Sequence, residues 1–230
     1  MTKELSDKLT PVQAQDMIYA FAYSWKQLFG DIPKKESLIL LMAHTSLECG
    51  VGYKFTHNYN FGNIKSSKND GCDFQYYKCN ELVPMSQAKN MVVSAEADGG
   101  VAKITGIQGD KAWIWFYPKN KYCCFKAFET LNEGTVFFLK FLKNRYKPQT
   151  GIWNAVVAGN PSLYSHLLRQ NYYYTADEGI YTKSVVRLFE QFKSLEYDIN
   201  KIDPELTDAQ KEKINSLIAY TIDQEIRNDL

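Results

Sequence analysis

The chain has almost no net charge. Its 230 residues carry 27 Lys and Arg against 26 Asp and Glu, with 3 His, a balance of +1. A protein held to nucleic acid mainly by phosphate neutralisation needs a basic excess, so no nucleic-acid partner is expected. Long apolar runs are also missing. Nothing approaches the ~20 residues that a membrane-spanning helix requires, and no membrane insertion is expected. The first residues, Met1 to Lys8, alternate in charge without an apolar stretch, so no secretory signal is expected. Metal-binding spacings are absent as well: the five cysteines lack paired C-x2-C ends, and there is no H-E-x-x-H. No cofactor and no metal is expected. Internal repeats and low-complexity tracts are not visible.

What is present is a globular composition. Hydrophobic residues make up 45% of the chain and charged residues 23%, enough apolar material for a substantial core. Aromatics reach 14%, with 16 Tyr, whose flat rings and terminal hydroxyls suit sugars as well as cores. The length predicts one compact domain with an appendage, at ~150 residues per domain. Charge divides the chain at about the same place. Residues 196–230 hold four Lys and Arg against nine Asp and Glu, leaving a mildly basic body over 1–195. Such a body suits an anionic polymer, and equally an ordinary solvated surface.

Periodicity supplies the layout. Thr10-Pro11 reads as a helix start and Gly30 as its stop, with Met17, Ile18, Phe21, Trp25 and Leu28 on one face. Pro33 opens a second helix, apolar nearly all round from Leu38 to Leu47 and therefore buried, ending near Gly50. Residues 56–67 are rich in Asn, Gly and Tyr and read as loop. Residues 72–83 and 100–125 read as strands, with a short helix within 84–97, so a small β-lobe is expected over about 68–125. Helices are then expected over 128–146, 150–158, 161–170 and 178–195, with a final one from Pro204 capped by Thr207. The five thiols are expected to be reduced, although one bridge from Cys72 or Cys79 to Cys123 or Cys124 is sterically conceivable.

The stretch His44-Thr-Ser-Leu-Glu48-Cys-Gly50-Val-Gly52 carries chemistry. It puts a carboxylate in the last turn of a buried helix, where apolar surroundings and the negative helix end both favour the protonated form, as a general acid requires. The following glycines let backbone pass close to a bulky ligand. The competing reading is a lysine-paired carboxylate that caps the core. Downstream, the stretch Asn58 to Lys65 brings the carboxamides of Asn58, Asn60 and Asn63 and the glycine Gly62, and carboxamides donate to and accept from sugar hydroxyls and N-acetyl groups. Those residue types also make simple turns.

Together, Leu47-Glu48-Cys-Gly50-Val-Gly52 and Asn60-Phe-Gly62-Asn-Ile-Lys65 resemble the E-S-G-x-G and N-x-F-G-x-K segments of lysozyme-like cell-wall glycosidases. The match is to the glucosaminidases of glycoside hydrolase family 73, the flagellar and phage type. Two later stretches, Phe125-Lys-Ala-Phe128-Glu-Thr130 and Asn171 to Tyr181, resemble further segments of that family in the same order. The resemblance implies an α+β, mainly α fold, with a helical domain and a small β-lobe flanking a substrate cleft. It implies cleavage of a β-1,4 bond in the glycan strands of peptidoglycan, by an N-acetylglucosaminidase or, next, a muramidase. Glu48 would be the acid. Glu81, in Cys79-Asn80-Glu81-Leu82, would be the second acidic residue, with Asp73, Glu96 and Asp98 as rivals. Tyr174 would hold substrate near the scissile bond, and Asn58, Asn60, Phe61, Gly62 and Tyr181 would bind it.

The sequence departs from the family at Cys49, where Ser is usual, at Val51, where an aromatic is common, and at Lys126, where Arg is usual. The last change loses a planar bidentate fork. The interval from Tyr174 to Tyr181 is one residue longer than the common form. Three alternatives stand beside the hydrolase: a lytic transglycosylase giving anhydro products, a non-catalytic glycan-binding or virion structural module, and a cysteine nucleophile built on Cys49 and His57. Without a secretory signal, an enzyme of this kind would act on the wall as an endolysin released at lysis or as a virion-associated lysin. No protein partner is indicated.

Overall fold

The computed structural model describes residues 2–50, 52–66, 71–174 and 176–202. The helix expected from Pro204, and most of the acidic segment 196–230, lie outside the described residues. The chain adopts the mainly helical α+β organisation expected of it. The helices are α1 (Ala14–Phe29), α2 (Lys35–Glu48), α3 (Met85–Ala97), α4 (Leu131–Arg145), α5 (Ile152–Ala158), α6 (Pro161–Gln170) and α7 (Glu178–Phe192). The strands are β1 (Phe74–Tyr76), β2 (Cys79–Pro84), β3 (Ala102–Gln108), β4 (Lys111–Phe116) and β5 (Cys124–Lys126). These elements divide into two units, Met1–Val12 with Glu48–Phe138 and Gln13–Leu47 with Leu139–Leu230.

The first unit holds all the strands. Rather than one β-lobe sheet, it contains two. β1 pairs antiparallel with β5, and β2, β4 and β3 form an antiparallel sheet in that order. The N-terminal segment extends the smaller sheet: the Leu5 amide donates to the Phe74 carbonyl (2.8 Å) and the Phe74 amide to the Lys3 carbonyl (3.1 Å). β4 shows why the larger sheet has one buried face. Ala112, Ile114 and Phe116 point inward and are buried, while Lys111, Trp113 and Trp115 point outward, the period-two pattern of a half-buried strand. Ala88 and Ala95 of α3 complete that core, and their small side chains let the helix lie close against the sheet.

The second unit is helical among its described residues. Leu38 to Ala43 of α2 are fully buried on every side, as the uninterrupted apolar run predicts. Met17, Ile18, Phe21 and Trp25 form the buried face of α1. Asn160 and Asp177 cap α6 and α7 by accepting the Leu163 and Ile180 amides, each at 2.9 Å.

Two helix starts differ from the sequence expectation. α1 begins at Ala14 with Gln13 as its cap, so Thr10-Pro11 precedes the helix; the Thr10 amide donates instead to the Thr56 carbonyl at 2.8 Å. α4 begins at Leu131 rather than Phe128. Glu133 Oε2 accepts the Thr130 amide (3.1 Å), and Thr130 Oγ1 accepts the Glu133 amide (3.2 Å). That reciprocal pair is a capping box, which fixes the start three residues later.

Candidate active site

Glu48 is the last residue of α2 and lies at the start of the first unit's second segment. Gly50 ends the helix in the left-handed region (φ 77°), and a Cβ there would strike the Phe55 ring. The loop that follows is held in costly backbone conformations. Tyr53, Asn58, Tyr59 and Asn63 all have positive φ, a density of left-handed non-glycine residues that persists only where surrounding contacts enforce it. Asn63 is one such anchor. Its Nδ2 donates to the Glu48 carbonyl, one of the orphan acceptors at the helix end, and its Oδ1 accepts from the Tyr77 hydroxyl at 3.1 Å. Gly134 is another: a side chain there would collide with the Tyr59 carbonyl, so only glycine lets α4 approach the loop.

Beside the helix end lies a pocket of about 440 Å³, built wholly from the first unit. Glu48, Gly50, Phe55, Asn63 and Lys65 line one part of it, and Lys78, Cys79, Asn80, Glu81 and Trp115 line another. Three stacked rings form a rigid support. Tyr77 lies flat against Phe125 (centroids 3.9 Å apart, 11° between planes) and against His57 (4.1 Å, 13°). The Lys65 ammonium sits 4.0 Å from the Phe125 ring centroid and 3.2 Å from Glu81 Oε1. Both partners of that ion pair are partly exposed, so it contributes at most about 1 kcal/mol and serves to orient Glu81.

Glu81 owes its direction to strand register. In β2 it shares a face with Cys79 and Val83 and stands opposite the buried Ile114, on the inward side of an edge strand. An inward carboxylate on an edge strand needs a cation or an opening; here it has both, in Lys65 and the pocket. Glu48 is half-buried and its neighbours in the pocket are largely polar, which differs from the apolar burial expected from the run preceding it. The reason is positional: the fully buried stretch of α2 ends at Ser46, two residues before the carboxylate.

Cys49 and His57 both line the pocket but are engaged elsewhere. Cys49 is buried, donates to the Asn60 carbonyl (3.4 Å), and burial, followed by the nearby Glu48 charge, pushes its thiol well above the ordinary value. A thiol so disfavoured as thiolate is a poor nucleophile. His57 Nδ1 is 2.5 Å from Asp7 Oδ1, which fixes the imidazole against Tyr77.

The residues expected to bind substrate occupy other positions. Asn58 is buried and donates to the Ser6 carbonyl (2.8 Å) and to Gln75 Oε1 (2.9 Å). The Asn60 amide closes a turn on itself, accepting the Ile64 amide (3.0 Å) and donating to the Ile64 carbonyl (3.1 Å). Phe61 is core, packed edge-on to Tyr53, and Gly62 adjoins Ile64 and Phe138. These four shape the loop that delivers Asn63 and Lys65.

Tyr174 and Tyr181 belong to the second unit. They stack at 3.7 Å, and the Tyr174 hydroxyl donates to the Ser165 carbonyl (3.1 Å). His44 in the same unit is fully buried between the Tyr164 and Tyr173 hydroxyls, with Nε2 2.8 Å from the latter. Burial lowers its pKa from 6.5 to about 3, so it is neutral.

Of the acidic rivals to Glu81, Asp73 accepts the Lys3 amide (2.9 Å), Asp98 accepts the Lys121 amide (2.6 Å), and Glu96 lies exposed in the last turn of α3. The pocket residues absent from the sequence expectation are Phe55, Tyr77, Lys78 and Trp115. The alternation of Trp113, Trp115 and Tyr117 against Ala112, Ile114 and Phe116 is the signal that singles out Trp115. Among the described residues, no group of three or more His, Cys, Asp or Glu could hold a metal ion.

No protein-family model matches the chain, and no curated protein sequence matches it. Among solved structures, the chain is similar to a peptidoglycan hydrolase mutant from Sphingomonas sp. A1 (TM-score 0.47, 16% identity, covering 78% of this chain and 94% of that one). It is also similar to the catalytic domain of the autolysin Auto from Listeria monocytogenes (TM-score 0.45, 16% identity, 82% and 89%). A third is the glycoside hydrolase domain of FlgJ from Salmonella typhimurium (TM-score 0.43, 13% identity, 93% and 99%).

Proposed function

We propose that this chain is a glycoside hydrolase that cleaves a β-1,4 bond in the glycan strand of peptidoglycan, with Glu48 as general acid and Glu81 as the second carboxylate. The observation that carries the reading is the convergence of these two residues on one open pocket, each presented by a different element. Oxocarbenium-type glycoside cleavage needs such a pair: one carboxylic acid to protonate the leaving oxygen and one carboxylate on the other side of the sugar. The motifs around Glu48 and Lys65 add their resemblance to the family's segments.

In this mechanism Glu48 transfers its proton to the glycosidic oxygen as the bond breaks. Glu81, oriented by Lys65, takes a proton from the attacking water, giving inversion at the anomeric carbon. Asn80 supplies an amide, and the Trp115 ring, with Lys78 Nζ 4.1 Å from its centroid, supplies the flat surface that a pyranose ring uses. The reaction is N-acetylglucosaminidase cleavage, as the motif resemblance implies.

The test is loss of turbidity in a purified cell-wall suspension. Wild type should clear it, while Glu48→Gln, which keeps the side-chain shape but cannot supply the proton, should not. Clearing by both proteins would overturn the acid assignment. Clearing by neither, with wall binding retained, would favour a glycan-binding module.

A further inference from the structure

The wall of the pocket holds a chemistry that glycoside cleavage does not use. Two cysteines face each other: Cys79 Sγ lies 3.9 Å from Cys123 Sγ. They reach this position from different elements, Cys79 opening the edge strand β2 and Cys123 closing a short 3-10 turn over Lys121–Cys123. Their environments differ. Cys123 is fully buried in the core under the sheet, whereas Cys79 is half-buried and lines the pocket, so a solute meets Cys79 first.

A cation is already in place. Lys65 Nζ is 3.6 Å from Cys79 Sγ, and Cys79 also donates to the Tyr122 carbonyl at 3.2 Å. The hydrogen bond from Cys123, opposed by burial and aided by Lys65, holds the Cys79 thiol below its ordinary value, while Cys123 is pushed up. A cysteine that is accessible, beside a lysine and next to a second thiol has the features of a redox-reactive pair.

We infer that Cys79 and Cys123 are a reversible dithiol–disulfide site in which Cys79 reacts with a small-molecule disulfide and Cys123 resolves the adduct. The Cys79 thiolate attacks one sulfur of the disulfide R–S–S–R, breaking that bond, releasing one RS⁻ and forming a Cys79–S–S–R mixed disulfide. Once Cys79 is captured, the hydrogen bond to it that is the largest cause of the raised Cys123 value is gone, and Cys123 loses its proton, attacks Cys79 Sγ, expels the second RS⁻ and leaves the Cys79–Cys123 bond. Two protein thiols are oxidised, one reagent disulfide is reduced to two thiols, and the two protein protons go to those thiolates or to solvent. Reaching bonding distance requires the two sulfurs to close from 3.9 Å to about 2.05 Å.

The experiment uses the full reduced chain incubated with oxidised glutathione at neutral pH, then alkylation, intact mass and peptide mapping. Wild type should lose two alkylatable thiols, become lighter by two hydrogens and yield a Cys79–Cys123 cross-linked peptide that dithiothreitol reverses. Cys123→Ser should stop at one glutathione on Cys79, and Cys79→Ser should leave Cys123 unmodified. A wild-type chain that keeps five alkylatable thiols overturns the proposal, as does a cross-link involving Cys72 or Cys124 instead, or glutathione on Cys123 with Cys79 free. The wild-type mapping alone decides the matter if a variant fails to fold. The readout is independent of glycan cleavage, so its failure and the failure of the hydrolase reading are separable.

Discussion

Each unit of the molecule places a histidine among tyrosines, and the two arrangements behave in opposite ways. In the second unit His44 is sealed, with a tyrosine hydroxyl on each ring nitrogen and no solvent contact. In the first unit His57 lies against Tyr77 at the edge of an open pocket, hydrogen-bonded to Asp7 through one nitrogen, with carboxylates, amides and two lysines lining that pocket. The same residue types make a satisfied core cluster in one place and the support of a chemical site in the other. What separates them is whether polar groups are left facing a volume that a ligand can enter.

The comparison is broken most strongly at Glu48. Glu48→Gln should lower wall cleavage by about 10²–10⁴-fold, the usual share of general acid–base catalysis, with the circular dichroism spectrum unchanged. An effect of next size is expected at Glu81. Glu81→Gln should cost about 10²-fold in cleavage while wall binding in a pull-down is retained.

The second unit should instead answer to acid. His44 binds a proton in the unfolded chain below pH 6.5 but in the folded chain only below about 3. Its contribution is therefore fully present above pH 6.5 and is lost as pH falls toward 3. The slope from this group is at most about 1.4 kcal/mol per pH unit. Urea unfolding over that range should show this component, and His44→Gln should flatten it. The smallest effect is expected at Tyr174: Tyr174→Phe removes the bond to the Ser165 carbonyl and should cost about 1 kcal/mol of unfolding free energy in the same titration.

The helices were legible because their periodicity is local. The apolar run of α2, the Asn160-Pro161 start of α6 and the Asp177 cap of α7 all lie within a few residues of what they determine. The start of α4 was legible too, in Thr130-Leu-Asn-Glu133, although the periodicity of Phe128 points three residues too early. The site was legible at its carboxylates and in the Asn60 to Lys65 motif. Glu48 stands out because a glycine break follows a buried helix, and Glu81 because of its motif context. The amides at Asn58 and Asn60 look like sugar ligands by composition, yet a loop with four left-handed non-glycine residues needs its own hydrogen bonds, and they supply them. Trp115 enters the pocket because β4 pairs with β2 so that Trp115 stands opposite Asn80. Register of that kind is long-range information that no short window contains.

The central claim is that the pocket between Glu48 and Glu81 breaks a glycosidic bond with water. Digesting purified peptidoglycan in heavy-oxygen water and weighing the released fragments tests it directly. The account expects muropeptides whose new reducing end is N-acetylglucosamine carrying one heavy oxygen, produced by wild type and not by Glu48→Gln. Intact glycan strands with cleaved peptide stems, or anhydro ends without label, would contradict it.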